Sequence, residues 1–290
     1  MRIRAVLPVL ALVLVAPLAA CGAGTGDGSG RPTVVTAFYP LEFVTRQVAG
    51  DHVRVVNLTQ PGAEPHDLEL KPRQVAEVAD ADLVVYESKL QPAVDEAISQ
   101  NAEDQGLDVA PHVDLTAGNP HFWLDPLRLA KAAAAIEQRL AKVDPGHADA
   151  FAANLATLTT ELDALDQDYR TGLADCVRDL VVTSHDAFGY QTKYGLRFAP
   201  IAGLSPDAEP SAAHLDQLRS LIEKEHITTV FSETLASPKM ADVLSHDLGL
   251  TAAVLDPIEG VAKGSDADYL SIMRANLAAL QKADGCKVSS

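Results

Sequence analysis

Apolar positions along this chain switch repeatedly between two periods. Residues 33–39 (TVVTAFY) and 53–58 (VRVVNL) are β-branched and aromatic runs with strand chemistry, whereas 40–48 repeats its apolar positions every three or four residues, as a helix does. The alternation continues with a helix over 72–79, a strand over 83–86, a helix opening at Pro92, a short strand near Val113 and a helix over 126–143. Each of these helices opens at or near a proline, which has no amide to lose in a first turn. Strands alternating with helices predict a parallel sheet covered by helices.

The pattern then changes scale. After Asp144-Pro145, the residues Phe151, Leu155, Leu158, Leu162, Leu165, Tyr169 and Leu173 follow one another at alternating steps of four and three. This is one apolar face running to about Ala174, and at 1.5 Å per residue it spans ~45 Å, more than one small domain needs. Such a helix could bridge two units or form a short coiled-coil arm, and strand–helix alternation resumes straight after it: strand 180–183, helix 187–194, strand 198–202, helix 212–225, strand 228–231, helix 238–248, strand 252–255, helix 269–282. The fold class is therefore α/β, with two lobes, 32–143 and 175–290, each a parallel sheet flanked by helices, joined by the segment 144–174. The halves share no sequence repeat, so any symmetry between them is structural.

The first 21 residues stand outside this scheme. Arg2 and Arg4 precede the apolar run 5–20, too short for a membrane span and shaped like an export signal. The run ends Leu18-Ala-Ala-Cys21-Gly22, which resembles the lipobox of bacterial lipoproteins and implies that Cys21 is lipidated and becomes the mature N-terminus. Residues 22–31 are Gly-, Ser-, Thr- and Asp-rich and read as a flexible tether. In an exported chain the remaining pair, Cys176 and Cys286, can be oxidised, and we expect them to be bridged. A formal charge of −17 argues against nucleic acid as a partner and fits cations or a soluble surface.

Candidate chemistry gathers where strands end. His66 lies in the loop after residues 53–58, His185 follows the strand LVVT, Asp256 follows AAVL, and His121 precedes the helix that Asp125 and Pro126 cap and open. In open α/β sheets ligands bind beyond the carboxyl ends of strands, so these four are plausible neighbours across a cleft, two from each half. Alone, His121 is more readily a partly buried histidine packed on Trp123 than a ligand. Separations of 55, 64 and 71 residues match no short zinc motif, but three imidazoles and one carboxylate suit Zn(II).

The surrounding motifs carry more. Gly62-Ala-Glu-Pro-His66-Asp-Leu-Glu69, Asn119-Pro-His121-Phe-Trp-Leu-Asp-Pro126, Ser184-His185-Asp-Ala-Phe-Gly-Tyr190 and Val254-Leu-Asp256-Pro257 resemble, in order, the zinc/manganese solute-binding lipoproteins of bacterial ABC importers. The resemblance covers about 33–284 and implies two α/β lobes joined by one long rigid helix, with His66, His121, His185 and Asp256 at the metal-ligand positions. It implies a monomer tethered to the membrane by its lipid, outside the cytoplasm, binding Zn(II) as cargo for an ABC permease. Relatives with His at the position of His185 resemble zinc binders, whereas manganese binders place Glu there, so a manganese- or iron-binding relative is the first alternative. An adhesin-like lipoprotein and a zinc hydrolase are the others, the last without a Gly-x-Ser-x-Gly or His-Glu-x-x-His motif to support it. Glu64, Glu69, Asp125 and Asp186 are candidates to accept from the outer imidazole nitrogens, and Glu233 looks like a further recurring position of the family.

Overall fold

Strand β1 (Thr33–Thr36) leads into helix α1 (Tyr39–Ala49) and β2 (Arg54–Asn57), followed by α2 (Pro72–Ala79), β3 (Leu83–Tyr86), α3 (Pro92–Asn101) and β4 (Gly106–Asp108). The computed structural model describes residues 30–116 and 118–287; the export signal, Cys21 and nearly all of the expected tether lie outside them. All pairings in this first sheet are parallel, in the order β2-β1-β3-β4. After α4 (Pro126–Val143) and α5 (Ala148–Gly172) the second half repeats the scheme with β5 (Leu180–Thr183), β6 (Arg197–Pro200), α6 (Ala212–Lys224), β7 (Thr229–Ser232), α7 (Lys239–Leu248), β8 (Thr251–Val254) and α8 (Tyr269–Asp284). Its order, β6-β5-β7-β8, is the same relative order in a parallel sheet. The two halves are thus alike in topology without being alike in sequence.

Four elements depart from expectation, each for a local reason. The strand placed near Val113 lies earlier, at β4; Val113 itself follows a short 3-10 turn over Ala110–His112. Three residues with one apolar position, Leu107, are too few to show a period. The long helix begins at Ala148, after a separate 3-10 turn over Pro145–His147, and ends at Gly172, giving 25 residues and about 37 Å. The stretch expected as helix over 187–194 is a 3-10 helix, Phe188–Tyr194, closed by Gly195 in the left-handed conformation. Helix α7 starts one residue after Pro238, which caps it.

Packing follows the strand period of two. In β5, Leu180 and Val182 point to a small core made with α6 and α7, while Val181 points to a larger core; in β7, Val230 and Phe231 divide the same way. The larger core includes β1 and β3 of the first sheet, the apolar face of α5 (Phe151, Leu158, Leu162, Leu165, Tyr169), and Tyr269 and Met273 of α8. The chain from Arg31 onward is one compact unit, so one continuous apolar interior serves both sheets. Each fully buried Leu or Phe there contributes ~1.5–3 kcal/mol relative to exposure. Tyr169 adds a hydroxyl that donates to the Met273 carbonyl at 2.7 Å, pinning α5 to α8. Among the described residues no helix is long and apolar enough to cross a membrane.

Candidate metal centre

His66, His121 and His185 meet where the two halves face one another, and each is fixed by its own loop. His66 lies on the connection from β2 to α2, where its backbone N–H donates to the Glu64 carboxylate at 3.0 Å and the preceding carbonyl, of Pro65, accepts from Gln91 at 3.1 Å. Gly62 allows this loop to turn, with φ +85°, a conformation that costs glycine nothing. His121 precedes the 3-10 turn Phe122–Leu124 that delivers the chain into α4. Asn119 accepts from it twice with one oxygen, from the backbone N–H at 3.0 Å and from the Nδ1 side of the ring at 2.8 Å. His185 follows β5 and is held the same way by Glu233, which follows β7: Oε1 lies 3.1 Å from the His185 backbone nitrogen and 2.7 Å from Nδ1.

These contacts assign the proton on two rings. Asn119 Oδ1 and Glu233 Oε1 can only accept, so Nδ1 of His121 and of His185 donates, and Nε2 is left to face inward. All three inward-facing nitrogens converge on a fourth donor, and it is Glu259. Its Oε1 lies 3.1 Å from His66 Nε2, 3.1 Å from His121 Nε2 and 3.2 Å from His185 Nε2. The His121 nitrogen is 3.3 Å from that of His66 and 3.2 Å from that of His185. Five of the six edges between these four atoms are thus 3.1–3.3 Å, and a regular tetrahedron with edges of that size has its centre about 2 Å from every corner, the ordinary Zn–N and Zn–O bond length. His121 and His185 are fully buried, Glu259 is 2 % exposed, and only the His66 side chain, at 11 %, touches solvent.

The electrostatics are those of a cation hole. Burial by itself would raise the Glu259 carboxyl, but the imidazoles of His121, His185 and His66 set against it outweigh burial and hold the group well below the usual carboxylate range. For His185 burial opposes charge, yet hydrogen bonds to Glu233 and Glu259 together lift the imidazole to about 10. The same contest raises His66 through Glu259, whereas in His121 burial wins and lowers the ring to about 4. At the solvent side, Glu64, Asp67 and Asp207 bring carboxylates within 4.8 Å of one another.

Asp256, the fourth ligand expected from sequence, is not in this cluster. Its Oδ2 accepts from the Thr234 hydroxyl at 2.8 Å and its Oδ1 from the Ile258 backbone N–H at 2.7 Å, so the side chain faces back into its own turn. The carboxylate that reaches the imidazoles is three residues further on. Nothing in Leu255-Asp-Pro-Ile-Glu259 distinguishes the two carboxylates by pattern; the turn between them decides, and Ile258 within it has φ +57°. The candidate orienting residues also change. Glu64 takes a backbone N–H rather than an outer ring nitrogen, Asp125 caps α4 by accepting from Leu127 and pairs with Lys193, and Glu69 is exposed. Asn119 and Glu233 take the roles instead. Asn119 stood in the open, two residues before His121, where an Asx turn reaches the next-but-one amide.

Comparison with known proteins gives the family. The chain is 35% identical to the high-affinity zinc uptake system protein ZnuA of Bacillus subtilis (strain 168), over 91% of this chain and 92% of that protein. The solved structure of Zn(II)-bound AdcA from Streptococcus pneumoniae superposes with a TM-score of 0.78 at 34% identity, covering 90% of this chain but only 59% of that larger one. The laminin-binding protein Lmb of Streptococcus agalactiae, described as an adhesin with metal-transporting activity, superposes with a TM-score of 0.81 at 29% identity, over 87% of this chain and 99% of that one. The model of the family of zinc-uptake complex component A, periplasmic, matches residues 34–283, and the chain belongs to that family.

Proposed function

We propose that this protein captures Zn(II) outside the cytoplasm and hands it to the permease of an ABC importer, holding the ion through Nε2 of His66, His121 and His185 and Oε1 of Glu259. The observation that carries the reading is the set of donor spacings, 3.1–3.3 Å, between atoms of which two, Nε2 of His121 and of His185, are turned inward by the contacts their Nδ1 atoms make with Asn119 and Glu233. Three imidazoles and one carboxylate in a tetrahedral arrangement favour Zn(II) over Mn(II), which sits lower in the Irving–Williams order and prefers more oxygen donors and higher coordination. The site serves transport, not catalysis: four protein donors fill a tetrahedral shell and leave no position for an activated water. The Leu18–Cys21 lipobox supports anchoring of the mature chain to the outer face of the membrane through a lipidated Cys21.

Zinc should bind at least tenfold more weakly when His66, His121, His185 or Glu259 is replaced by Ala. A competition titration against a chromophoric zinc chelator measures this, and equal affinities for Zn(II) and Mn(II) in the parent protein would count against the assignment.

A further inference from the structure

The carboxylate that completes the metal centre sits at the end of a turn held against its own backbone preference. Ile258 is fully buried and adopts φ +57°, in the left-handed region where a β-branched residue is a rare and strained outlier. A strained conformation persists only where its surroundings enforce it, and here Asp256 is the centre of the enforcement. Its Oδ1 accepts the Ile258 N–H at 2.7 Å and its Oδ2 the Thr234 hydroxyl at 2.8 Å. Its own backbone is gripped by one side chain of α8: Asn276 Oδ1 accepts the Asp256 N–H at 2.9 Å and Asn276 Nδ2 donates to the Asp256 carbonyl at 2.6 Å. The next carbonyl, of Pro257, accepts from Trp123 Nε1 at 2.7 Å, so the turn is tied to the segment that carries His121. Beyond Glu259, Gly260 passes so close to Leu235 and the Ala63 carbonyl that an added Cβ would lie 3.0 and 3.4 Å from them, and Val261 accepts from the Gly62 N–H at 2.8 Å.

From this geometry we infer that Asp256 is a positioning residue of the zinc site, whose carboxylate locks Ile258 in the left-handed turn that presents Glu259 to the three imidazoles. The inference rests on the zinc reading above and deepens it. Without an acceptor at Oδ1, Ile258 relaxes toward the extended or right-handed helical region, and the change in φ redirects the chain one residue before the ligand. The three imidazoles then remain in place while the fourth donor leaves them. Asp256 thus acts on zinc only through Glu259, and that dependence separates positioning from a general contribution to folding.

The test is a double-mutant cycle in the soluble mature chain, with Zn(II) affinity read by chelator competition and ligand geometry read from the visible spectrum of the Co(II)-loaded protein. D256A should lose roughly tenfold or more in zinc affinity, and its Co(II) bands should move to those of E259A. D256N retains an oxygen for the Ile258 N–H and should stay within about threefold of the parent, while D256A/E259A should bind within about threefold of E259A alone. Parent-like affinity and Co(II) bands in D256A, or a second full loss when D256A is added to E259A, overturns the inference. Should D256A fail to fold, T234V carries the same test by removing only the hydroxyl that steadies Oδ2: weaker binding in the parent and none on the E259A background supports the inference, and unchanged binding in the parent overturns it. The zinc reading fails separately, if E259A and H121A bind zinc as tightly as the parent whatever Asp256 does.

Discussion

His185 shows how single residues divide the work of this site. Glu233 faces one ring nitrogen and Glu259 the other, so the imidazole lies between two carboxylates, and although burial opposes its charge these contacts lift it to about 10. Zinc needs the Nε2 lone pair and must therefore displace a proton at neutral pH. The sign follows: the metal-free protein is protonated at His185 below about 10, so apparent zinc affinity rises with pH, by at least about tenfold per unit between pH 7 and 9, with at least one proton released per ion bound, His66, which Glu259 also raises, adding to the release. His121, lowered to about 4, adds no further competition above pH 5. Calorimetric titrations in buffers of different ionisation enthalpy measure the released proton directly, and heats that do not depend on the buffer would contradict the expectation. That the three histidines come together was readable in the sequence, because each stands in a distinctive motif at the end of a strand or the start of a helix. The carboxylate that joins them was not, since Asp256 and Glu259 are equivalent in pattern and only the backbone of Ile258, which no residue type announces, turns the second one inward.

Elements were legible where periodicity is long. The face of α5 that runs from Phe151 to Tyr169 is buried as its steps of four and three require, while the three-residue β4 and the 3-10 turns carry too few residues for a period. The end of α8 carries a feature that periodicity does not disclose. Asp284 is its last residue, a carboxylate at the negative end of a helix, 3 % exposed, with Oδ2 buried and unpartnered. Burial raises it to about 7, with Asp179 adding to the rise and Arg178 opposing it. Between its unfolded value near 4 and about 7 the folded chain holds a proton that the unfolded chain has lost, so stability from this group is present at low pH and is lost as pH rises through that window. Asp284→Asn should therefore stabilise the protein at pH 8 by on the order of 1–2 kcal/mol and make no difference near pH 4. Urea denaturation of both proteins at the two pH values checks the claim, and a gap that is larger at pH 4 than at pH 8 has the wrong sign.

At the scale of the whole molecule, the sequence suggested two lobes on a connecting helix, and the structure adds that their interiors are continuous through α5 and α8. Such continuity favours local changes around the ligand loops over a wide opening of the two halves. A bridge between Cys176 and Cys286 reinforces the same region, joining the chain just after α5 to the chain just after α8 across 110 residues of sequence. Cross-linking so long a loop restricts the unfolded chain, and in the chain-entropy view contributes ~2–4 kcal/mol. Its position sets what it does not affect: Cys176 precedes β5, whereas His185 follows it, so the bond and the metal centre lie at opposite ends of the second sheet. The double replacement of Cys176 and Cys286 by Ser should lower the thermal midpoint by about 5–10 °C while leaving zinc affinity within about threefold of the parent. Calorimetric melting and chelator competition on the same preparation separate the two effects. A variant that melts with the parent, or one that loses zinc as readily as it loses stability, would show that the bond is either idle or part of the site.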